Sequence, residues 1–500
     1  MIKWHEWDSA AFEQARREGK LILLDIHGVW CHWCHVMDKN TYSNDIVTEL
    51  INEKFIAVKV DTDKRPDINE RYNQGGWPTT CVLNPDGEII DGATYLPADQ
   101  MAMFLERASK HKHTEAVREK EPHKSEVKSI SSDVADELVS MFDTEYGGFG
   151  FQPKFPFSDA VELLLMEYRK TKNKQWLEMA LRTLDGLMGI FDDAEGGFYR
   201  YSVTRDWTVP HYEKMMETNA QLIENYLHVA AVTGDGKYRK IAERTADYII
   251  NNLLGEGFYA SQDAGPEEEY YGKIAEERAK MHKPFIDRSV YTNLNGLAIS
   301  AFVKLGGKYR ERAIEVIRSL SANDLMEHYK GCGFSLLADN VYFIRALLDA
   351  YEATADTDYI DKAKSIMDNT IEKFFDRGFN DRTGGGIGLL ENANRNLACN
   401  SAAAVCLLRL AFYTEDDRYR KKAEETLSYL TPHHGPHAAS YALAAEVFID
   451  GIDITVKEPM QLPYDPRIAV KYDSSADKIL VCRGMKCTAL NSAVELEKSL

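Results

Sequence analysis

Apolar positions along the chain follow two regimes. Up to about residue 108 they gather in short runs, Leu21-Ile22-Leu23-Leu24-Asp25-Ile26, Phe55-Ile56-Ala57-Val58-Lys59-Val60 and Cys81-Val82-Leu83, which read as buried strands. Between them Val36-Met37 and Ile46-Val47-Leu50-Ile51 recur at three-to-four spacing, the pattern of an amphipathic helix. A further strand at Ile89-Ile90 and a helix from Ala98 complete an α/β domain over residues 1–108. Residues 109–130 are rich in Lys, His and Glu and lack an apolar stripe, so they are expected to form a linker.

From 131 to 450 the helical period takes over, and it repeats. Thr171 to Trp176 with Ala180, Thr233 to Tyr238 with Ala242, Thr354 to Tyr359 with Ala363, and Thr414 to Tyr419 with Ala423 each give a polar turn, an aromatic anchor and a small residue one turn into the next helix. The opposite ends also match, as glycine-aromatic loops: Gly147-Gly-Phe-Gly150, Gly196-Gly-Phe-Tyr199, Gly257-Phe-Tyr259 and Gly331-Cys-Gly-Phe334. The pattern predicts twelve helices, near 131–142, 158–171, 175–190, 214–232, 238–253, 293–304, 309–321, 339–354, 358–375, 398–413, 418–430 and 437–449. Six hairpins of this kind need neighbours to bury their apolar faces, and six can close into a ring. The predicted architecture is therefore multidomain α/β + α: an α/β domain followed by an (α/α)6 toroid. Residues 451–500 alternate short apolar runs with turns and end in a helix, an extension expected to pack on the toroid.

Composition narrows the function classes. Five hundred residues at 44% hydrophobic can bury a large core, and a formal charge of -19 argues against nucleic acid or an anionic membrane surface as partner. The start, Met1-Ile-Lys-Trp-His-Glu-Trp-Asp8, has no apolar signal region, and no stretch reaches about 18 uninterrupted apolar residues, so a cytoplasmic protein with no membrane partner is expected. Eight cysteines are too few for a disulfide scaffold; two pairs lie close in sequence, Cys31/Cys34 and Cys482/Cys487.

The run Trp30-Cys31-His32-Trp33-Cys34-His35 carries the strongest chemical signal. It lies where a strand ends and a helix begins, so Cys31 meets the unpaired N–H groups of a helix N-terminus, which lower a thiol pKa. A C-x-x-C pair can close a disulfide ring, hold zinc in a knuckle, or attach haem through C-x-x-C-H. Zinc needs two further ligands and only His32 and His35 are local, while haem attachment normally accompanies export, for which no signal is visible. No metal or cofactor is expected. Downstream, Gly75-Gly76-Trp77-Pro78-Thr79 sets Pro78 as a candidate cis peptide.

Strand, Trp-Cys-x-x-Cys, helix, strand, Gly-x-Pro-Thr and strand occur in the order found in thioredoxins, and this region resembles that family. The resemblance implies Cys31 as attacking thiol, Cys34 as resolving thiol, Asp25 as the buried proton acceptor and Pro78 as the cis-proline facing the disulfide. His32-Trp33 replaces thioredoxin's Gly-Pro, and His32 beside the thiolate implies a more oxidising couple. Cys31-His-Trp-Cys-His-Val-Met37, Asp61-Thr-Asp-Lys-Arg-Pro-Asp-Ile68 and Gln74-Gly-Gly-Trp-Pro78 resemble the spermatogenesis-associated protein 20 family more specifically, which couples such a domain to a helical toroid.

That toroid is similar to those of six-hairpin glycosidases and N-acylglucosamine epimerases, which place chemistry at one mouth. Here the glycine-aromatic loops offer Trp207, His211, Glu213 and Asp263 as candidate ligands of a small polar, carbohydrate-like molecule, against the plainer reading of loop caps. Three functions follow: a thiol–disulfide oxidoreductase acting on a protein client; a sugar epimerase, isomerase or glycosidase with a regulatory thioredoxin-like domain; and a non-catalytic redox sensor or scaffold.

Overall fold

The computed structural model describes residues 1–110, 123–265, 267–320, 325–460, 462, 464–484 and 486–499. It divides into two compact units: Met1–Glu121 with Asp263–Pro266 and Arg382–Asn394, and the remainder. Nothing in sequence order marks the two short segments as partners of the first unit. The linker expected over 109–130 falls, from 111 to 122, outside the described residues.

The first unit is built from β1 (Trp4–His5), α1 (Ser9–Glu18), β2 (Leu21–His27), α2 (His32–Asn40), α3 (Asp45–Lys54), β3 (Phe55–Asp61), α4 (Pro66–Tyr72), β4 (Thr79–Leu83), β5 (Ile89–Ala93) and α5 (Ala98–Ala108). The sheet order is β1-β3-β2-β4-β5, with β1, β3 and β2 parallel and β4 and β5 antiparallel. Apolar clusters cover both faces of β2, which is why it reads as an unbroken apolar run interrupted only by Asp25. The segment from 382 joins this unit through specific bonds: the Tyr72 hydroxyl donates to Gly87 O at 2.7 Å and accepts from Leu389 N at 2.8 Å, and Leu390 enters the core.

The second unit contains α6 (Ser131–Met141), α7 (Ser158–Thr171), α8 (Lys174–Leu187), α9 (Met216–Thr233), α10 (Gly236–Asn252), the short α11 (Glu267–Tyr270) and α12 (Ala275–Arg278), then α13 (Thr292–Leu305), α14 (Gly307–Ser319), α15 (Leu337–Thr354), α16 (Asp358–Phe374), α17 (Leu397–Thr414), α18 (Asp417–Ser428) and α19 (Ala439–Asp450). Helices α7, α9, α13, α15, α17 and α19 pack each on the next, and α19 returns to α7, so an inner ring of six is closed. Helix α17 is long and apolar enough to cross a membrane by length and composition alone, but it is an inner helix of the ring, 61% buried, which accounts for its apolarity.

Two-residue strands decorate the loops: β6 (Tyr201–Ser202) pairs with β7 (Pro210–His211), and β8 (Lys214–Met215) and β10 (Ile286–Asp287) flank β9 (Ser261–Gln262). A repeated clamp pins these loops to the inner helices. The fourth residue of α9, α13 and α17 is an asparagine whose Oδ1 accepts from a loop N–H, Phe198 to Asn219, Phe258 to Asn295 and Phe379 to Asn400, at 2.7 to 2.8 Å. Each Nδ2 donates back to the same residue's carbonyl, so backbone groups that a buried loop would orphan are satisfied in pairs. In α15 the fourth residue, Asn340, likewise accepts from Met326 N, but its Nδ2 donates to Ser335 Oγ and Leu336 O.

The C-terminal region forms a sheet of order β12-β11-β13-β14, from β11 (Ile452–Val456), β12 (Ile468–Tyr472), β13 (Ile479–Arg483) and β14 (Lys486–Leu490), followed by α20 (Ala493–Ser499). It packs on the inner ring, where Val470 N donates to Glu352 at 3.2 Å and Tyr472 N to the Tyr351 hydroxyl at 3.0 Å.

Candidate functional site

Strand β2 delivers the chain through Gly28 to Trp30, and Cys31 becomes the N-cap of α2. The Cys34 N–H donates to Cys31 Sγ at 3.2 Å, the interaction that stabilises a thiolate at a helix start. Cys31 and Cys34 are disulfide-bonded, with Cα atoms 5.3 Å apart. Both are buried, while Trp33 between them stands 46% exposed. Its ring leans on Tyr95 at 5.1 Å and on His32 at 5.6 Å. The Trp77–Pro78 peptide is cis, and Trp77 meets Trp30 edge-on at 5.7 Å.

Asp25 is 1% exposed in the middle of β2. Its carboxylate accepts from the Tyr42 hydroxyl at 3.2 Å and lies 3.3 Å from the Lys59 ammonium. Burial outweighs the lysine, which Asp38 also engages at 2.6 Å, and pushes the Asp25 carboxyl up to about 6. A group poised there can take and return a proton near neutrality. His27, at the end of the same strand, is pushed down to about 4 by burial and is neutral at that pH.

At the motif, His35 has an acidic partner. His35 Nε2 lies 3.1 Å from Asp263 Oδ2, and this bond raises the imidazole pKa. Asp263, expected at the toroid mouth, belongs to the first unit. Sequence spacing could not show this, because 228 residues separate the two partners.

The other candidates also separate. Trp207 is 1% exposed and serves as core: its Nε1 donates to Tyr146 O and Gly147 O at 3.2 and 3.3 Å, and its ring and backbone lie so close to Gly148 and Gly189 that a Cβ at either would fall 2.6 Å from it. Such packing holds Trp207 at φ 65°, where a bulky residue is otherwise unfavourable. It is not a mouth residue. His211 and Glu213 do converge, with Nδ1 and Oε2 at 2.6 Å. His211 ends the two-residue strand β7 and Glu213 precedes β8, so neither lies on a helix, where residues two apart point to different faces. The His211 ring stacks on Tyr201 at 4.7 Å, which stacks on Phe155 at 4.7 Å, while Glu213 beneath it is 1% exposed.

Sequence reading missed Asp159 and Glu217, each the second residue of neighbouring inner helices α7 and α9. Both are exposed, but the protein atoms gathered around them strip water from the charged form and raise both carboxyls, Asp159 to about 6, with Arg345 opposing at Asp159. An acid in the first turn is so common as a dipole partner that nothing in the sequence singles these out. Among the described residues, no group of three or more His, Cys, Asp or Glu side chains is placed to hold a metal ion.

Comparison with known proteins finds matches to both parts of the chain. The family model described as Thioredox_DsbH, "Protein of unknown function, DUF255", matches residues 1–138. Human spermatogenesis-associated protein 20 is 31% identical over 305 residues, 53% of this chain and 39% of the human protein. The chain therefore spans about two fifths of the length of the curated relatives it matches. Thioredoxin-1 of Drosophila melanogaster is 29% identical over 83 residues, 17% of this chain and 72% of that protein. In structure, cellobiose 2-epimerase from Spirochaeta thermophila covers 64% of this chain and 97% of its own at a TM-score of 0.50 and 14% identity, a likeness of fold. The chain is thus similar to spermatogenesis-associated protein 20 over about half its length, with a thioredoxin-like domain followed by a helical toroid whose fold resembles that of cellobiose 2-epimerase.

Proposed function

We propose that this protein carries out thiol–disulfide exchange at Cys31/Cys34 on a protein client. The observation that supports it best is Cys31 as the N-cap of α2, its sulfur accepting the Cys34 N–H and bonded to Cys34, in a unit whose central strand buries the protonatable Asp25. In the reducing direction the Cys31 thiolate attacks a client disulfide, forming a mixed disulfide and releasing one client thiolate. Cys34, deprotonated with Asp25 as acceptor, then attacks Cys31 Sγ, so the second client sulfur leaves with its electron pair and the Cys31–Cys34 disulfide closes. Two electrons pass to the client, and an external dithiol restores the pair. The test is insulin reduction with dithiothreitol, alongside the alkylation rate of Cys31 against pH in Cys34→Ser. A Cys31 pKa near the ~8.5 of a free thiol defeats the proposal.

A second reading, a small polar ligand at the N-terminal ends of the inner helices, is favoured by Asp159 and Glu217, two crowded carboxyls with raised pKa values on adjacent helices. Thermal shift with a sugar panel, repeated on Asp159→Asn, tests it. No sugar-dependent shift in the wild type counts against a carbohydrate site.

A further inference from the structure

The second cysteine pair stands in a hairpin where the sequence assigns it no role. Strands β13 and β14 pair antiparallel with Cys482 directly opposite Cys487; the two are disulfide-bonded, Cα atoms 4.1 Å apart. The bond joins residues that the hairpin's own backbone ladder already holds together, across a separation of five, so as a staple it constrains little that is not already fixed. It is also accessible. β14 is the sheet edge, Cys487 is exposed and Cys482 half-buried.

The next residue in the row decides its chemistry. On the other side of β13, Asp453 of β11 is the register partner of Cys482, so Asp453, Cys482 and Cys487 follow one another across three strands on one face. That face is opposite the one carrying Ile452, Ile454 and Val456 into the small core of the sheet. Burial, against the opposing Arg420, pushes the Asp453 carboxyl up to about 6. Asp453 also lines a cleft of about 480 Å³ with Arg420, Phe448, Ala469 and Gly484, space on the scale that takes a small molecule. As in the first unit, the cysteine pair shares its sheet region with a carboxyl whose pKa burial raises to about 6.

We propose that Cys482/Cys487 with Asp453 is a second thiol–disulfide exchange centre, whose co-reactant is a low-molecular-weight anionic thiol of tripeptide size. The thiolate attacks exposed Cys487 Sγ, the Cys482–Cys487 bond breaks, and Cys482 leaves as a thiolate that takes the proton held by Asp453. A second thiol then attacks the mixed disulfide at the small-molecule sulfur, releasing Cys487 and the symmetrical small-molecule disulfide. Two thiols are oxidised and the hairpin is reduced by two electrons; of the two thiol protons one reloads Asp453 and the other goes to Cys487. Arg420 on the cleft wall offers a cation to the carboxylates of such a thiol.

The test uses the full chain carrying Cys31→Ser and Cys34→Ser, so its result is independent of the first pair. Incubation in glutathione buffers, acid quench, alkylation and peptide mass spectrometry read the state of Cys482 and Cys487. The expected result is equilibration of the pair within minutes from both directions. In addition, Cys482→Ser should gain a glutathione adduct at Cys487 about tenfold faster than Cys487→Ser gains one at Cys482. Asp453→Asn should slow opening near pH 6 about tenfold with an unchanged circular dichroism spectrum. A pair that stays oxidised in millimolar reduced glutathione, or that opens only with a protein dithiol, overturns the proposal, as does equal reactivity of the two single variants.

Discussion

In the helical unit Lys154 and Lys214 are both fully buried, and each donates to an aspartate and to a glycine carbonyl of the same loop: Asp143 and Gly147 O, Asp192 and Gly196 O, all at 2.6 to 2.8 Å. In the thioredoxin unit Asp25 is just as deeply buried but is left with a raised pKa. Each lysine buries its charge against an aspartate that an arginine, Arg205 or Arg278, also engages, an arrangement repeated from loop to loop, which is how a fold secures its own backbone. Asp25 occurs once and stays protonatable, which is of use to a reaction and a penalty to stability. Burial and a shifted pKa therefore do not by themselves mark a site, since burial also pushes Lys214 down to about 8. Repetition separates the two cases.

The sharpest way to break that comparison is to delete chemistry on one side and architecture on the other. Cys31→Ser should abolish insulin reduction, by about 10³-fold or more, with the thermal midpoint of the helical unit unchanged. Asn219→Ala removes the acceptor for Phe198 N and the donor to Phe198 O, both buried, and should cost about 2–4 kcal/mol of stability by denaturant titration. It should leave the Cys31 alkylation rate as it was. Loss of both properties in either variant would mean that the two units are energetically one.

Asp25→Asn sharpens the same contrast through pH. A carboxyl whose folded pKa is raised from 3.8 to about 6 favours the folded state below about pH 4 and loses that contribution as pH rises to 6, because the ionised form is penalised by burial. Asparagine cannot ionise, so the variant should be more stable than wild type at pH 7 by roughly 1–3 kcal/mol, a difference that closes between pH 6 and 4. Equal pH slopes for the two proteins would show that Asp25 is ionised and fully compensated by Lys59. The exchange rate should fall at the same time, since Cys34 loses its proton acceptor.

How much of this was legible depended on whether a feature is local in sequence. The Cys31/Cys34 turn, Pro78 and the twelve inner and outer helices follow from runs, spacings and turn residues within about twenty positions of one another. The Asn219, Asn295 and Asn400 clamp is equally periodic, but one asparagine in an inner helix carries no signal until its loop partner is known. Trp207 was misread because an aromatic in a glycine-rich loop looks like a ligand platform, whereas here the glycines exist to admit it. Asp263 was misplaced for the opposite reason. Its neighbours in sequence are toroid loops, whereas Asp263 itself belongs to the first unit, as does its partner His35.

That pair gives the smallest effect and the finest test. His35 is about half exposed, so its bond to Asp263 is screened and contributes no more than about 0.5 kcal/mol. Because Asp263 raises the His35 pKa, the contribution is present below the ordinary histidine pKa and disappears as pH rises through the raised folded value. Asp263→Asn keeps an acceptor for Gly265 N and removes only the charge. The variant should lower the His35 titration midpoint by NMR and the thermal midpoint slightly at pH 5.5, with no change at pH 9. A protonated imidazole one residue from Cys34 also favours thiolate at the motif, so Cys31 alkylation at pH 6 should slow by about twofold. An unchanged His35 titration would show that Val29, whose backbone carbonyl also engages the ring, sets its protonation instead.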